Sequence, residues 1–135
     1  MNAAEKAIEL HNIGYNCCQA VVCAFAERLG IDEEVLFKAT EGFGLGMGAM
    51  NCTCGAVSGA VMLAGLKNSG GTSQRTKVAT YKLSAKIVDD FTTKNQSVIC
   101  REIKGVDTGK VLRSCGGCIE DAVKIAEEVL DLKSV

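Results

Sequence analysis

The sequence has no proline, no tryptophan and only six aromatic residues, and its 15 Lys and Arg nearly balance its 16 Asp and Glu. Without a basic excess to neutralise phosphates, nucleic acid is not an expected partner. Long apolar runs are also missing. The longest, Cys54 to Leu66, has 13 residues, whereas a helix needs about 20 to cross a bilayer. We therefore expect no transmembrane segment.

Several motifs of known chemistry are missing as well. His11 is the only histidine, so the sequence offers no acid–base dyad. No cysteine pair is followed by histidine, which excludes a haem attachment motif. The glycine-rich run Gly42–Gly48 lacks the lysine of a P-loop and the spacing of a dinucleotide fingerprint. The N-terminal segment, interrupted by Glu9 and His11, does not match a signal peptide, and we expect a cytoplasmic protein.

Helical periodicity dominates what is present, and no segment keeps the alternation of a strand. The sequence predicts an all-α fold: a single compact domain over residues 1–135, with five to seven helices around a central apolar helix at about 54–67. Gly55 and Gly59 on that helix would let a neighbouring backbone approach closely. The alternation of glycine with apolar residues over Gly42–Gly48 predicts a tight loop before it. The last helix is predicted to start after Gly116-Gly117.

A long polar-faced helix is predicted to end near Thr93. Its predicted apolar stripe consists of Val78, Tyr81, Ala85, Val88 and Thr92.

Eight cysteines are the unusual feature of the composition. They make up about 6% of the chain, below the ~8–10% of short disulfide scaffolds. In a reducing cytoplasm such a set is more typical of metal binding or redox chemistry than of structural disulfides. Most lie at predicted helix N-termini, where the helix dipole and free amides stabilise a thiolate.

Five segments carry a resemblance over nearly the whole chain. They are Asn16-Cys17-Cys18-Gln19-Ala20-Val21, Gly42-Phe43-Gly44 with Gly46-Met47-Gly48, Cys54-Gly55-Ala56-Val57-Ser58-Gly59, Cys100-Arg101-Glu102-Ile103 with Gly105, and a cysteine opening the final helix. In these segments the sequence resembles the C_GCAxxG_C_C family of redox-active proteins, named for its cysteine pattern. The resemblance implies a redox or metal role, in some members near transport functions.

The family's four defining cysteines map onto Cys17, Cys54, Cys100 and either Cys115 or Cys118. Cys115 is favoured because it stands four residues ahead of the aliphatic Ile119. A similar domain in split-Soret-type cytochromes looks to hold an iron–sulfur cluster. With Cys115 as the fourth, the resemblance does not explain Cys18, Cys23, Cys52 and Cys118, and Cys18 and Cys23 are expected to pack as small apolar residues.

A metal is one interpretation of these cysteines. Thiolates from Cys17, Cys54, Cys100 and Cys115 would form the Cys₄ shell of an iron–sulfur cluster or bind zinc. Backbone amides near Gly46, Gly48 and Gly55 would contact the cofactor and tune its potential. The irregular gaps between these cysteines match no compact ferredoxin motif.

Thiol chemistry is the other interpretation. Cys115-Gly116-Gly117-Cys118 is a CxxC pair at a helix N-terminus, which favours a low-pKa attacking thiol and a resolving partner. Cys54, Cys115 and Cys118 are the candidate catalytic residues, and no cofactor is needed in this case. No strand precedes the motif, as it would in thioredoxin-type enzymes.

The sequence thus predicts a redox protein whose distant cysteines converge on one site. Electron transfer through an iron–sulfur cluster is slightly favoured over thiol–disulfide exchange. The alternative is a zinc-stabilised interaction module without enzymatic activity, such as a transporter accessory. The expected partner is a redox protein or a small thiol, and the apolar loop makes a homodimer a further expectation.

Overall fold

Helices joined by short turns build the chain in the computed structural model, which describes residues 1–132. Within these residues no strand forms, and a single antiparallel bridge joins Thr53 to Ile99. The predicted all-α fold is confirmed. The elements are α1 (Ala3–Asn12), α2 (Cys17–Cys23), α3 (Ala26–Leu29), α4 (Glu33–Thr40), a 3₁₀ turn (Glu41–Phe43), α5 (Gly44–Met47), α6 (Gly55–Asn68), α7 (Lys77–Asn95), α8 (Cys100–Ile103) and α9 (Cys115–Leu130).

Helix α6 packs against α2, α7 and α9. Small residues allow a close approach to α2: a Cβ added at Gly59 would lie 3.1 Å from the Val21 Cβ and 3.2 Å from the Cys18 carbonyl oxygen. The predicted role of Gly55 and Gly59 is therefore confirmed. No helix within residues 1–132 is both long and apolar enough to cross a membrane.

The segment before α6 is built largely from left-handed backbone, so the short element α5 within it is a tight turn and not a regular helix. Leu45, Gly46, Met47, Gly48 and Met50 all have φ between 54° and 94°. A non-glycine residue adopts this conformation only at a cost. Consecutive left-handed residues turn the chain back on itself within a few positions, as the glycine alternation predicted, and the loop reaches the N-terminus of α6.

The predicted start of the last helix is wrong by three residues. Helix α9 begins at Cys115, and the Ser114 hydroxyl caps it by accepting a hydrogen bond from the Gly117 amide at 3.0 Å. The two glycines therefore lie in the first helical turn. A Cβ added at Gly117 would lie 2.4 Å from the Arg113 Nε, so a larger residue there would displace the Arg113 side chain from Asp121.

The predicted apolar stripe of α7 is also wrong in part. Val78 and Tyr81 are 63% and 62% exposed, whereas Ile87 and Phe91 are buried. Asn95 continues this buried face and donates a hydrogen bond to Asp121 on α9 at 3.1 Å. The residues in the second half of α7 thus determine which face of the helix packs on α6 and α9.

Asp121 joins α7 and α9 through ion pairs. Its fully buried carboxylate lies 2.8 Å from Lys94 Nζ and accepts a bidentate pair of hydrogen bonds from Arg113, at 3.0 and 3.2 Å. Bidentate contacts of this kind fix direction as well as distance. They hold the segment before α9, and hence Cys115, against the helix bundle.

Candidate functional site

A cavity of about 220 Å³ brings together five of the eight cysteines. They come from α2, the N-cap of α6, α8 and the first turn of α9, and are Cys17, Cys54, Cys100, Cys115 and Cys118. The other lining residues are His11, Asn16, Leu45, Gly46, Gly55, Ile103, Lys104 and Arg113. Every cysteine that the sequence proposed as catalytic or metal-binding therefore faces one space, and the role of each stays a prediction.

Cys17 is positioned by a capping box at the start of α2. The Asn16 side chain accepts a hydrogen bond from the Gln19 amide, and the Gln19 side chain accepts one from the Asn16 amide, both at 2.9 Å. The Asn16 amide group also donates to the Glu41 carbonyl oxygen at 2.9 Å. These bonds tie the helix end that carries Cys17 to the turn after α4.

Cys54 and Cys100 are placed by backbone pairing between two loops. The Cys54 amide donates to the Val98 carbonyl oxygen at 2.7 Å, and the Cys100 amide donates to the Cys52 carbonyl oxygen at 2.9 Å. The bridge between Thr53 and Ile99 lies between these bonds. Two cysteines 46 positions apart thus share one wall of the cavity.

The three glycines proposed to contact a cofactor differ in position. A Cβ added at Gly46 would lie 2.5 Å from the Cys100 Cβ, and one at Gly55 would lie 3.3 Å from the Cys17 Cβ. Gly46 and Gly55 line the cavity, and Gly48 does not. The two lining glycines let the cysteine segments approach closely.

Cys17 and Cys115 form what we call the outer pair, since both are partly exposed. Their sulfurs are joined by a hydrogen bond, and Lys104 Nζ lies 2.9 Å from the Cys115 Sγ. The bond from the Cys17 thiol, helped by the Lys104 ammonium and opposed by burial, lowers the pKa of Cys115 to about 5. The same bond, with burial, raises the pKa of Cys17. Cys115 is therefore the thiolate and Cys17 the donor.

Cys54 and Cys118 form the inner pair, and both are buried. A hydrogen bond joins their sulfurs. It lowers the pKa of Cys54 to about 7, against burial and with help from the Ala56 and Val57 amides at the start of α6. The bond raises the pKa of Cys118, as does burial. The positive end of α6 thus stabilises negative charge on Cys54.

The remaining cysteines separate by burial. Cys100 lines the cavity, and burial raises its pKa. Cys18 and Cys23 are fully buried in the hydrophobic core, and burial raises their pKa values to about 12 and 11. Cys52 is exposed. The expected packing role of Cys18 and Cys23 agrees with their position.

The CxxC motif is divided between the two pairs. Cys115 and Cys118 lie one turn apart on α9, but Cys115 bonds to Cys17 and Cys118 bonds to Cys54. The sequence interpretation treated the two as partners of each other. In the structure each has its hydrogen-bond partner on another helix or helix cap.

Three contributors to the site were not foreseen. Lys104, just after α8, faces Cys115 only because the fold brings α8 to α9, and no sequence pattern signals it. Arg113 lines the cavity while it is held by Asp121. The pair Asn16 and Gln19 has a recognisable signal, because this spacing is that of a capping box.

A comparison with known protein families finds a match over most of the chain. A family model described as "Putative redox-active protein (C_GCAxxG_C_C)" matches residues 15–129. The chain belongs to this family. The C_GCAxxG_C_C match includes both cysteine pairs and Cys100. Neither a curated protein nor a solved structure matches the chain. In the part of the chain that the structure describes, no three His, Cys, Asp or Glu side chains are already arranged to hold a metal ion.

Replacing Lys104 by methionine is expected to raise the pKa of Cys115, because it removes the ammonium next to the sulfur. With a pKa of about 5, Cys115 is a thiolate from pH 6 upward, so its alkylation rate should change little between pH 6 and 8. In Lys104→Met the rate at pH 6 should fall about three- to tenfold, since the thiolate fraction drops about tenfold per pH unit below the pKa. Peptide mass spectrometry after iodoacetamide measures this at Cys115.

Lys82→Met is the matched control, since Lys82 is exposed on α7 and does not line the cavity. Its pH profile should equal that of the unmodified chain. An unchanged profile in Lys104→Met would show that Lys104 does not stabilise the thiolate.

Proposed function

We propose that this redox-active protein carries out thiol–disulfide exchange at the outer pair, Cys17 and Cys115. One observation carries the proposal: the Cys115 sulfur lies 2.9 Å from Lys104 Nζ and shares the wall of one cavity with the Cys17 thiol. An activated thiolate with a second thiol in contact is the arrangement that disulfide exchange requires. Both cysteines are partly exposed, so an outside disulfide can reach them.

The exchange takes two steps. The Cys115 thiolate attacks one sulfur of an external disulfide, forming a mixed disulfide and releasing one thiolate. Cys17 then loses its proton to solvent or to the released thiolate and attacks the Cys115 sulfur. This second step forms the Cys17–Cys115 disulfide and releases the other thiolate. The external disulfide gains two electrons, and the outer pair loses two.

Lys104 and the start of α9 act on the first step. The ammonium keeps Cys115 ionised, and the first turn of α9 adds its free amides. The partner class is a small disulfide or a redox protein that presents one.

A trapping experiment tests the role of Cys17. In a Cys118→Ser background, which removes the other nearby thiol of α9, oxidised glutathione reacting with Cys17→Ser should release one glutathione and leave the other on Cys115 as a stable mixed disulfide. With Cys17 present, the adduct should resolve and release the second glutathione. Intact-mass measurement after acid quenching separates the two states.

Cys23→Ser in the same background serves as control, because Cys23 lies in the core outside the cavity lining. Its adduct should resolve as in the background. If the adduct persists whether or not Cys17 is present, or resolves in both cases, Cys17 is not the resolving thiol.

A second candidate is electron transfer through an iron–sulfur cluster. The observation that favours it is the cavity itself, because Cys17, Cys54, Cys100 and Cys115 line one space of about 220 Å³. Four thiolates are the donor set that iron–sulfur clusters prefer, and these four residues would hold it. Such a cluster would supply one-electron transfer. Iron and acid-labile sulfide, counted after anaerobic purification, test this candidate.

The other expectations stay predictions. They are a cytoplasmic location, a homodimer formed through the apolar loop, and the zinc-stabilised interaction module. Leu45 and Met47 in that loop are 50% and 45% exposed, which is consistent with a protein contact there.

A further inference from the structure

The inner pair has no role in the exchange described above. Cys54 and Cys118 are only 6% and 2% exposed, so an external disulfide cannot reach them directly. Both residues nonetheless line the cavity that holds the outer pair, and Cys54 is the N-cap residue of α6.

The inner pair is connected to the outer pair through α9. Cys118 follows Cys115 by one helical turn, and both side chains line the same cavity. The four sulfurs therefore form a series from the surface inward: Cys17, Cys115, Cys118 and Cys54. All four side chains line the one cavity, and the middle step of the series is the helical turn of the CxxC motif.

We propose that Cys54 and Cys118 are a second dithiol that exchanges with the outer pair through Cys115, so that one chain stores four electrons. This inference rests on the proposed function of the outer pair. In this inference the two cysteines of the CxxC motif pass a disulfide between the outer and inner pairs. They do not act as an independent redox pair.

The disulfide moves from the outer pair to the inner pair in two exchange steps. Cys118 loses its proton and attacks Cys115 of the Cys17–Cys115 disulfide. This forms the Cys115–Cys118 bond and releases Cys17, which takes up that proton. The Cys54 thiolate then attacks Cys118, forming the Cys54–Cys118 disulfide and releasing Cys115 as the thiolate next to Lys104. Two electrons have moved from the inner pair to the outer pair. The outer pair is again reduced and can react with a second external disulfide.

Several features of the site favour these steps. The leaving group in the second step, Cys115, has the ammonium of Lys104 at 2.9 Å to stabilise it. The nucleophile, Cys54, lies at the N-terminus of α6, where the Ala56 and Val57 amides support its negative charge. Burial keeps external thiols from intercepting the inner disulfide.

The stoichiometry of oxidation tests the inference. We use 4,4′-dithiodipyridine, which releases two coloured thiopyridones for each protein disulfide formed, in a Cys52→Ser background that removes the exposed thiol. Reduced protein should release about four thiopyridones without retaining an adduct. Cys118→Ser should release about two and contain the Cys17–Cys115 disulfide. Cys54→Ser should consume one equivalent of 4,4′-dithiodipyridine and so also release about two thiopyridones. Cys23→Ser should still release about four.

The outcomes distinguish this inference from the proposed function. If the background protein releases only two thiopyridones and forms only Cys17–Cys115, the inner pair is not a redox couple and the outer-pair function stands. If Cys118→Ser forms no Cys17–Cys115 disulfide, the proposed function itself fails. If Cys54–Cys118 forms in Cys115→Ser as fast as with Cys115 present, the transfer through Cys115 is wrong.

Discussion

Replacing Cys115 by serine is expected to slow reaction with an external disulfide by about 100-fold or more. Serine keeps the size of the side chain, but its hydroxyl does not ionise near neutral pH and cannot form a disulfide. Lys104 loses the thiolate that it contacts, and Cys17 loses its acceptor. Thiopyridone release in the Cys52→Ser background measures the rate. Circular dichroism should show an unchanged fold, because α9 remains capped by Ser114.

Cys23→Ser is the matched control for this loss. Cys23 is fully buried in the core, and its thiol donates a hydrogen bond to the Glu33 carbonyl oxygen at 4.0 Å. Its rate should stay within about twofold of the background. If Cys115→Ser keeps its rate while Cys54→Ser or Cys100→Ser loses it, the attacking thiol has been assigned to the wrong residue.

The Gly46→Ala variant should lose about 2–4 kcal/mol of unfolding free energy. Gly46 has φ +56°, and its Cβ would lie 2.5 Å from the Cys100 Cβ and 3.0 Å from the Cys52 carbonyl oxygen. These two neighbours cannot move apart freely, since the Cys100 amide donates to that oxygen at 2.9 Å. The clash would therefore displace the wall of the cavity that carries Cys100. Urea unfolding followed by circular dichroism measures the loss.

Gly48→Ala separates this clash from backbone strain. Gly48 has φ +94° and no heavy atom within 4 Å of an added Cβ. It should cost only about 1 kcal/mol, from the left-handed conformation alone. Equal losses in the two variants would mean that close contact with Cys100 is not what requires glycine at position 46.

The sequence predicted the fold correctly where neighbouring residues favour the same local structure. The glycine-rich loop and the small residues of α6 predicted the tight entry and the close helix contact. The face of α7 was not accessible, because Val78 and Tyr81 fit one stripe and Ile87 and Phe91 fit another. Only packing against α6 and α9, together with the contact of Asn95 with Asp121, decides between them.

The cysteines show the same limit. The family resemblance identified four of the five that line the cavity and left the choice between Cys115 and Cys118 open, and the structure brings both to the cavity. Which sulfur contacts which depends on where α2, α6 and α9 meet, and sequence spacing does not encode it. Lys104 was missed for the same reason, since its proximity to Cys115 arises from the approach of α8 to α9.

Mapping the disulfides of the fully oxidised protein tests the central claim most directly. The protein is oxidised, its remaining thiols are blocked with a maleimide, and its peptides are identified by mass spectrometry. The account predicts a disulfide between Cys17 and Cys115. A disulfide between Cys115 and Cys118, with Cys17 recovered as a blocked thiol, would contradict it.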